Sequence, residues 1–335
     1  SMLMLYANFR NLNLSERLGP SAELAVIYSH MVMTMGVFQM PKWGSWYHRR
    51  SLEVAREFDD KSALATVLVG LGVNAVGTGD WDEASQVLEE CLELCSQLGD
   101  LKQWAEAASL RGDAALLTGD LEEGLERYLD VYGRAERKGS LGHLGLSLRT
   151  QAMMALQQND LSKARQLLTK AEHVLEETTE KLIQIDVSGL RALVEFESGA
   201  MAEAYEHLQR AMSLLAETMP PIAYPRIFGL RAASRVVLDM LERSRTTADG
   251  PADSRSLQTH AETMQRYLKT YARVFRIGEP AARLHTARML WLQGRHAKAS
   301  TEVAEAVAVA QRLRMQPDLA EAQALAATIA GSGRS

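Results

Sequence analysis

The sequence predicts an all-α protein, a right-handed α-α superhelix (solenoid) of about seven degenerate helix pairs. Three observations predict it. Alanine, leucine, glutamate, arginine and 15 methionines dominate a chain that is 47% hydrophobic and only 6% aromatic, a balance that favours helix over sheet. The stretches GDWDEASQVLEECLELCSQLGD from Gly79, GDLEEGLERYLDVYGRAERKGS from Gly119 and NDLSKARQLLTKAEHVLEETTE from Asn159 align without gaps at a spacing of 40 residues. Between these copies lie further segments with apolar residues at helical spacing, so each unit reads helix, turn, helix.

Taken along the chain, the first unit is QMPKWGSWYHRRSLEVAREFDD from Gln39, with methionines collected from Met31 to Met40 and Trp43, Trp46 and Tyr47 crowded ahead of a helix over 48–58. First helices of later units are expected over 63–76, 103–117, 144–156 and 182–196. Each is followed by a turn. Gly79 and Gly119 stand where a helix ends most cheaply in a left-handed residue, and Asn159 is the usual second choice. Asp80 and Asp120 can cap the next helix, with Glu83 and Glu123 completing a capping-box-like pattern. One turn further on, Ala84, Gly124, Ala164 and Ala204 are small enough to let two helices approach closely. Gly199 continues the series with GAMAEAYEHLQRAMSLLAETMP, and a weaker copy starts at Gln293, where Gly294 and Ala299 repeat the five-residue offset of Gly79 and Ala84.

The register breaks after Leu241, in the polar stretch ERSRTTADGPADSRS over 242–256. The expected organisation is therefore repeats of 40-residue period over 1–243, a polar loop over 244–256 and further repeats of the same superhelix over 257–330. Helices are expected over about 281–293 and 297–312, with a short one from near Pro317 and a frayed end.

Composition also narrows the function. A net charge of −5 with mixed signs offers no concentrated basic stripe for phosphates, so no nucleic-acid partner is expected. No uninterrupted apolar run of about 18 residues and no signal-peptide order is present, so no membrane association and a cytoplasmic location are expected. Ser1 ahead of Met2 reads as a scar of tag removal, and the natural protein is expected to extend beyond this chain. The only cysteines, Cys91 and Cys95, lie one helical turn apart; two thiolates fall short of the four donors zinc wants, so they read as small core residues. The 8 histidines are scattered without an H-E-x-x-H spacing and read as solvated or capping groups. No phosphate-binding G-x-x-x-x-G-K-[ST] loop or nucleophile motif is found. The expectation is a segment that is not an enzyme and needs no cofactor or metal.

Candidate binding residues come from repeat positions. Arg111, Gln151, Arg191 and Arg231 recur at one position of the first helices, and could form a ladder that grips an acidic peptide through forked hydrogen bonds, or could pair with nearby acids. Asp113, Met153 and Leu193, two residues further along, are candidates for the concave face. Trp43, Trp46 and Tyr47 are candidates for an apolar contact with an upstream domain or a second copy of the chain, against the alternative that they cap the first helix pair.

The Gly-Asp turns, the small residue five positions after the turn glycine and the paired helices resemble the tetratricopeptide family in a longer-unit form. More narrowly, NLNLSERLGPSAELAVIYSHM from Asn11 and RYLKTYARVFRIGEPAARLHTARMLWLQGRHAKAS from Arg266 resemble the helical C-terminal region of large bacterial AAA-type ATPases that carry class III adenylate/guanylate cyclase or protein kinase domains. That resemblance implies a signalling protein in which this segment regulates or recruits. The expected function is thus a non-catalytic scaffold for a protein or peptide partner, which could be the upstream domains of the same polypeptide, with a homodimer as a further option. The alternative is a small-ligand sensor arm of a helical-repeat transcription regulator. An open groove would favour the first and an enclosed apolar cavity with a few convergent polar groups the second.

Overall fold

Left-handed residues punctuate the chain at a step of 20: they stand at 79, 99, 119, 139 and 159, and φ is +75° at Gly79 and +95° at Gly119. From 79 to 159 both turns of a unit therefore use the same device, twice as often as the 40-residue repeat requires, whereas the helix over Leu161–Leu175 ends on Glu176 without it. At the starts that follow, the carboxylates of Asp80, Asp100, Asp120 and Asp160 accept from the backbone N–H three residues on, at 3.0–3.3 Å. The glutamate half of the box goes elsewhere. Glu83 reaches the His48 ring at 3.1 Å, and Glu123 reaches Arg111 at 2.9 Å, where the guanidinium on a neighbouring helix is the stronger partner.

The computed structural model describes residues 2–58, 60–218, 224–245 and 252–332. In chain order the helices are α1 (Met2–Leu18), α2 (Ala22–Val37), α3 (Pro41–Glu57), α4 (Lys61–Thr78), α5 (Trp81–Leu98), α6 (Leu101–Thr118), α7 (Leu121–Lys138) and α8 (Leu141–Gln157). They continue with α9 (Leu161–Leu175), α10 (Lys181–Glu197), α11 (Met201–Thr218), α12 (Phe228–Arg243), α13 (Ser254–Val274), α14 (Glu279–Leu292), α15 (His296–Arg312) and α16 (Gln316–Ser332), with one 3₁₀ turn at Arg276–Gly278. No strand occurs among the described residues. Each even-numbered helix from α2 to α14 packs with the odd one after it, and most even-numbered helices also pack with one another, so they form the inner layer of an all-α helical-repeat superhelix.

Small residues set the spacing inside each pair. Ala84, Ala164 and Ala204 are fully buried at the contacts, and a Cβ on Gly124 would sit 2.6 Å from Leu116 Cδ2. Cys91 and Cys95 are part of the same packing: both are buried, and the Cys91 thiol points at the Ala65 carbonyl at 3.5 Å. Inner helices are apolar over most of their circumference. α4 is long and apolar enough to cross a bilayer by length and composition, yet Val67, Leu68, Leu71, Ala75 and Val76 are fully buried against its neighbours.

Several elements differ from expectation. Trp43, Trp46 and Tyr47 lie within α3, not ahead of a helix at 48, since Pro41 occupies the first helical position and needs no N–H partner there. α16 is 17 residues long, so the C-terminal helix is not short. The stretch expected as a polar loop over 244–256 follows α12 but ends sooner than expected, since α13 begins at Ser254 with Asp253 as its cap; residues 246–251 lie outside the described residues, as do 333–335 of the frayed end.

The largest departure concerns the groove. The superhelix curls until its C-terminal part meets its own inner layer. The Phe275 ring occupies the space left by the missing side chain of Gly77 on α4. Trp81 Nε1 donates to the Leu313 carbonyl at 2.6 Å, across 232 residues of sequence. Gln316 and Pro317 pack against Gly119 at the end of α6, and Arg231 on α12 reaches Asp318 on α16 at 3.1 Å. Much of the concave surface is covered from within.

Candidate functional site

Where the inner helices do not meet the returning C-terminal segment, a hollow of about 200 Å³ remains between α6, α8, α10, α12, α14 and α16. Its walls are mostly apolar, with Met153 and Met154 from α8, Leu190 and Leu193 from α10, and Leu238 and Leu284 from α12 and α14. Arg231, Arg235, Arg288 and Glu321 bring charge to it. Of the residues singled out in the sequence, Met153, Leu193 and Arg231 converge here.

The remaining candidates are placed apart. Arg111 on α6 is held by Glu89 at 3.3 Å and Glu123 at 2.9 Å. Arg191 on α10 is held by Glu195 at 2.6 Å, Glu172 at 3.2 Å and the Thr169 hydroxyl at 2.7 Å. Gln151 is half-buried on α8. Arg231 alone of the recurring position has its acids, Asp318 and Glu321, on the returning helix α16. Trp43, Trp46 and Tyr47 form an aromatic cluster with Tyr28, with Trp46 and Tyr47 ring centroids 4.9 Å apart; Tyr47 is buried while Trp43 and Trp46 remain 52% and 42% exposed.

Asp113 does not face a groove; it is buried in a charge network. Its Oδ1 accepts from the Tyr128 hydroxyl at 2.7 Å and from Arg149 Nη2 at 3.1 Å, and its Oδ2 lies 3.6 Å from Arg226. Arg149 Nε lies 3.6 Å from Asp186 Oδ2, and Asp186 Oδ1 accepts from the Gly229 N–H at 2.7 Å. Burial raises the Asp186 carboxyl above its ordinary range, and Arg149 pulls it partly back. Burial alone would lower Arg149, but Tyr128, Asp113 and Asp186 outweigh it and hold the guanidinium firmly protonated. The signal in the sequence was faint: Arg149 stands in a repeat column otherwise filled by Ser109, Gly189 and Gly229.

His285 corrects the expectation that the histidines are solvated or capping groups. It is 2% exposed, its Nδ1 accepts from the Ser234 hydroxyl at 2.5 Å and its Nε2 donates to the Ala261 carbonyl at 2.8 Å. Burial pushes its pKa down to about 4, so the ring is neutral and clamps α12, α13 and α14 together. A hydrolytic triad would place a carboxylate where the Ala261 carbonyl stands. Among the described residues no group of three or more His, Cys, Asp or Glu side chains is arranged to hold a metal ion.

The contact that fastens α16 is itself titratable. Burial pushes the Asp318 carboxyl up to about 6, against the pull of Arg231, while Arg231 is held above its ordinary value by Asp318 and Glu321 despite burial. The carboxylate decides the sign because it is the group that changes charge near neutrality, and its desolvation exceeds what Arg231 returns. Since the folded pKa lies above the ordinary 3.8, the favourable contribution is full below about 3.8 and is lost as pH rises through 6. Asp318→Asn is therefore expected to gain stability relative to wild type between about pH 4 and 7, by roughly 3 kcal/mol, in denaturant titrations at both values. A difference that does not vary with pH would refute this.

No protein-family model matches the chain. A stretch of 108 residues is 29% identical to proteins described as HTH-type transcriptional regulators of Mycobacterium bovis and Mycobacterium tuberculosis, covering 32% of this chain. The chain spans 12% of the length of those relatives. The crystal structure of yeast Tom70 superposes over 98% of this chain and 59% of that one, with a TM-score of 0.46 and 12% identity.

Proposed function

We propose that this chain is a non-catalytic protein-binding module of a longer regulatory protein, and that its inner face takes helical segments whose first turns carry acids. One observation carries the reading. The inner face already holds such a segment, α16, whose Asp318 and Glu321 meet Arg231 at 3.1 and 3.5 Å while Pro317 packs on the end of α6. A partner helix of the same chemistry would compete with α16 for this place. The similarity of the segments from Asn11 and Arg266 to the C-terminal regions of cyclase- and kinase-bearing ATPases supports a signalling setting, in which the partner is another part of the same polypeptide. A second reading, the sensor arm of a transcription regulator, draws on the hollow beside α16 and on the likeness to the mycobacterial regulators.

A labelled peptide of residues 313–332, added to the intact chain, tests the first reading by fluorescence anisotropy. Ala322 on α16 is fully buried in the cluster formed with α14 and α15, so Ala322→Asp places an unpartnered charge there and loosens the resident helix. The peptide is expected to bind the Ala322→Asp chain at least tenfold more tightly than wild type, and to lose that gain when Arg231→Ala is added. Arg191→Ala, whose acids belong to its own and adjoining helices, is expected to leave it unchanged. Failure of the peptide to bind the loosened chain would sink the reading.

A further inference from the structure

We propose that the hollow between α6, α8, α10, α12, α14 and α16 is a binding site for a small amphipathic anion with the size and chemistry of a medium-chain carboxylate. The size comes first. At about 200 Å³ the hollow is smaller than the roughly 300–1,000 Å³ of pockets that take drug-sized molecules, which limits the ligand to a short apolar body and one head group. Met153, Met154, Leu190, Leu193 and Leu238 supply an apolar wall, and the two methionines can adapt to an unbranched chain.

Charge sets the sign of the head group. Three guanidinium groups, Arg231, Arg235 and Arg288, line the hollow beside the carboxylate of Glu321, while the other acids that meet them, Asp318, Asp239, Glu197 and Glu242, are not among the lining residues. Arg231 is committed to Asp318, which leaves Arg235 and Arg288 at the rim. These two are bridged by Asp239, at 3.6 and 2.7 Å, and each also has an exposed outer partner: Glu197 at 2.7 Å from Arg235 and Glu242 at 3.0 Å from Arg288. Exposed ion pairs contribute little, so a ligand carboxylate can replace Glu197 and Glu242 at small cost and gain forked hydrogen bonds from both arginines. Ser234 and His285 also line the hollow, but they are bonded to each other and close its floor.

Occupancy would bear on α16, because Pro317 and Glu321 form one wall of the hollow. A ligand that touches α8, α10 and α16 together favours the closed arrangement by mass action. It would then act as a regulator of whatever the inner face binds, although the site itself does not depend on the peptide-binding reading.

Octanoate is the probe, titrated into the intact chain by calorimetry, with octylammonium and octanol as parallel arms and thermal melts of the same samples. Octanoate is expected to bind saturably at one site and to raise the melting temperature; octanol should bind at least tenfold more weakly and octylammonium not measurably. The double variant Arg235→Gln and Arg288→Gln, at a solvent-facing rim, should weaken octanoate about tenfold while leaving octanol unchanged. Leu193→Trp fills the hollow and should abolish binding. The rim variant keeps the test informative if the tryptophan variant does not fold. No octanoate binding, equal binding of octylammonium, or octanoate affinity indifferent to the rim variant would each overturn the proposal. None of these measurements contains the 313–332 peptide, so failure here is distinct from failure of the protein-binding reading.

Discussion

Replacing Arg149 by methionine is expected to destabilise the chain by about 3–5 kcal/mol, read as a shift of the denaturant midpoint at unchanged slope. Arg149 is fully buried, and its guanidinium stacks on Phe228 as well as meeting Asp113 and Asp186. Methionine keeps much of the volume, so the loss is chiefly electrostatic. Asp113 keeps the Tyr128 hydroxyl and Arg226, whereas Asp186 keeps the Gly229 N–H and a weaker pull from Arg226. Asp186 already has a raised pKa through burial, and removal of Arg149 raises it further. A carboxyl whose folded pKa is raised opposes folding only above its unfolded pKa. The deficit of Arg149→Met should therefore shrink as pH falls toward 4, and Asp186→Asn in the same chain should recover most of it at neutral pH. A deficit that persists equally at low pH and in the double variant would mean that packing, not charge, was lost.

What the sequence disclosed was local. Gly79, Asp80 and Ala84 each act within one helical turn of where they stand, so the turn, the cap and the close contact could be assigned from their spacing. The 20-residue step was present in the same letters, but its odd members Gly99 and Gly139 close the second helices, where the 40-residue alignment did not look for turns. The closure of the superhelix could not be read in that way. Trp81 and Leu313 are 232 positions apart, Arg231 and Asp318 are 87 apart, and each looks like an ordinary member of an amphipathic helix. The recurring arginine position illustrates the limit. One repeat register placed Arg111, Arg191 and Arg231 alike, yet their partners are set by which acids neighbouring helices present: Glu89 and Glu123 for the first, Glu172 and Glu195 for the second, and a helix from the far end of the chain for the third.

That closure also changes what the inner face can do. An extended peptide needs an open channel, whereas this interior holds the helix α16 and a small hollow that α16 borders. The main core runs from α2 through α13 and takes in Ala281, Ala282 and Met289 of α14, Val309 of α15, and Leu313 and Met315 ahead of α16, while a smaller cluster is built from Leu284, Ala287, Ala299, Val303, Ala306, Ala322 and Ile329. The returning segment is thus fastened to the inner layer by the main core and holds its own helices together by the smaller one.

The approach of α10 and α12 gives the other large effect. Gly229→Ala is expected to cost more than 4 kcal/mol, because two losses follow from one methyl group. A Cβ on Gly229 would stand 2.7 Å from the Asp186 nitrogen and nearer still to the Asp186 Cα, and a Cβ on Gly189 would stand 2.7 Å from the Gly229 Cα. The obstacle in both cases is backbone, which cannot swing aside as a side chain can. The helices must separate, and separation breaks the 2.7 Å hydrogen bond from the Gly229 N–H to Asp186, leaving that buried carboxylate to the arginines, chiefly Arg149. Gly189→Ala forces the same separation from the other helix. Gly133 on α7 is the control, since the nearest atom to a Cβ there is the far end of Arg137 at 3.6 Å; Gly133→Ala should be neutral or mildly stabilising, as alanine is the better helix former. Equal melting temperatures for Gly133→Ala and Gly229→Ala would show that α10 and α12 are not in backbone contact, and with it the link between their packing and the charges beneath would fall.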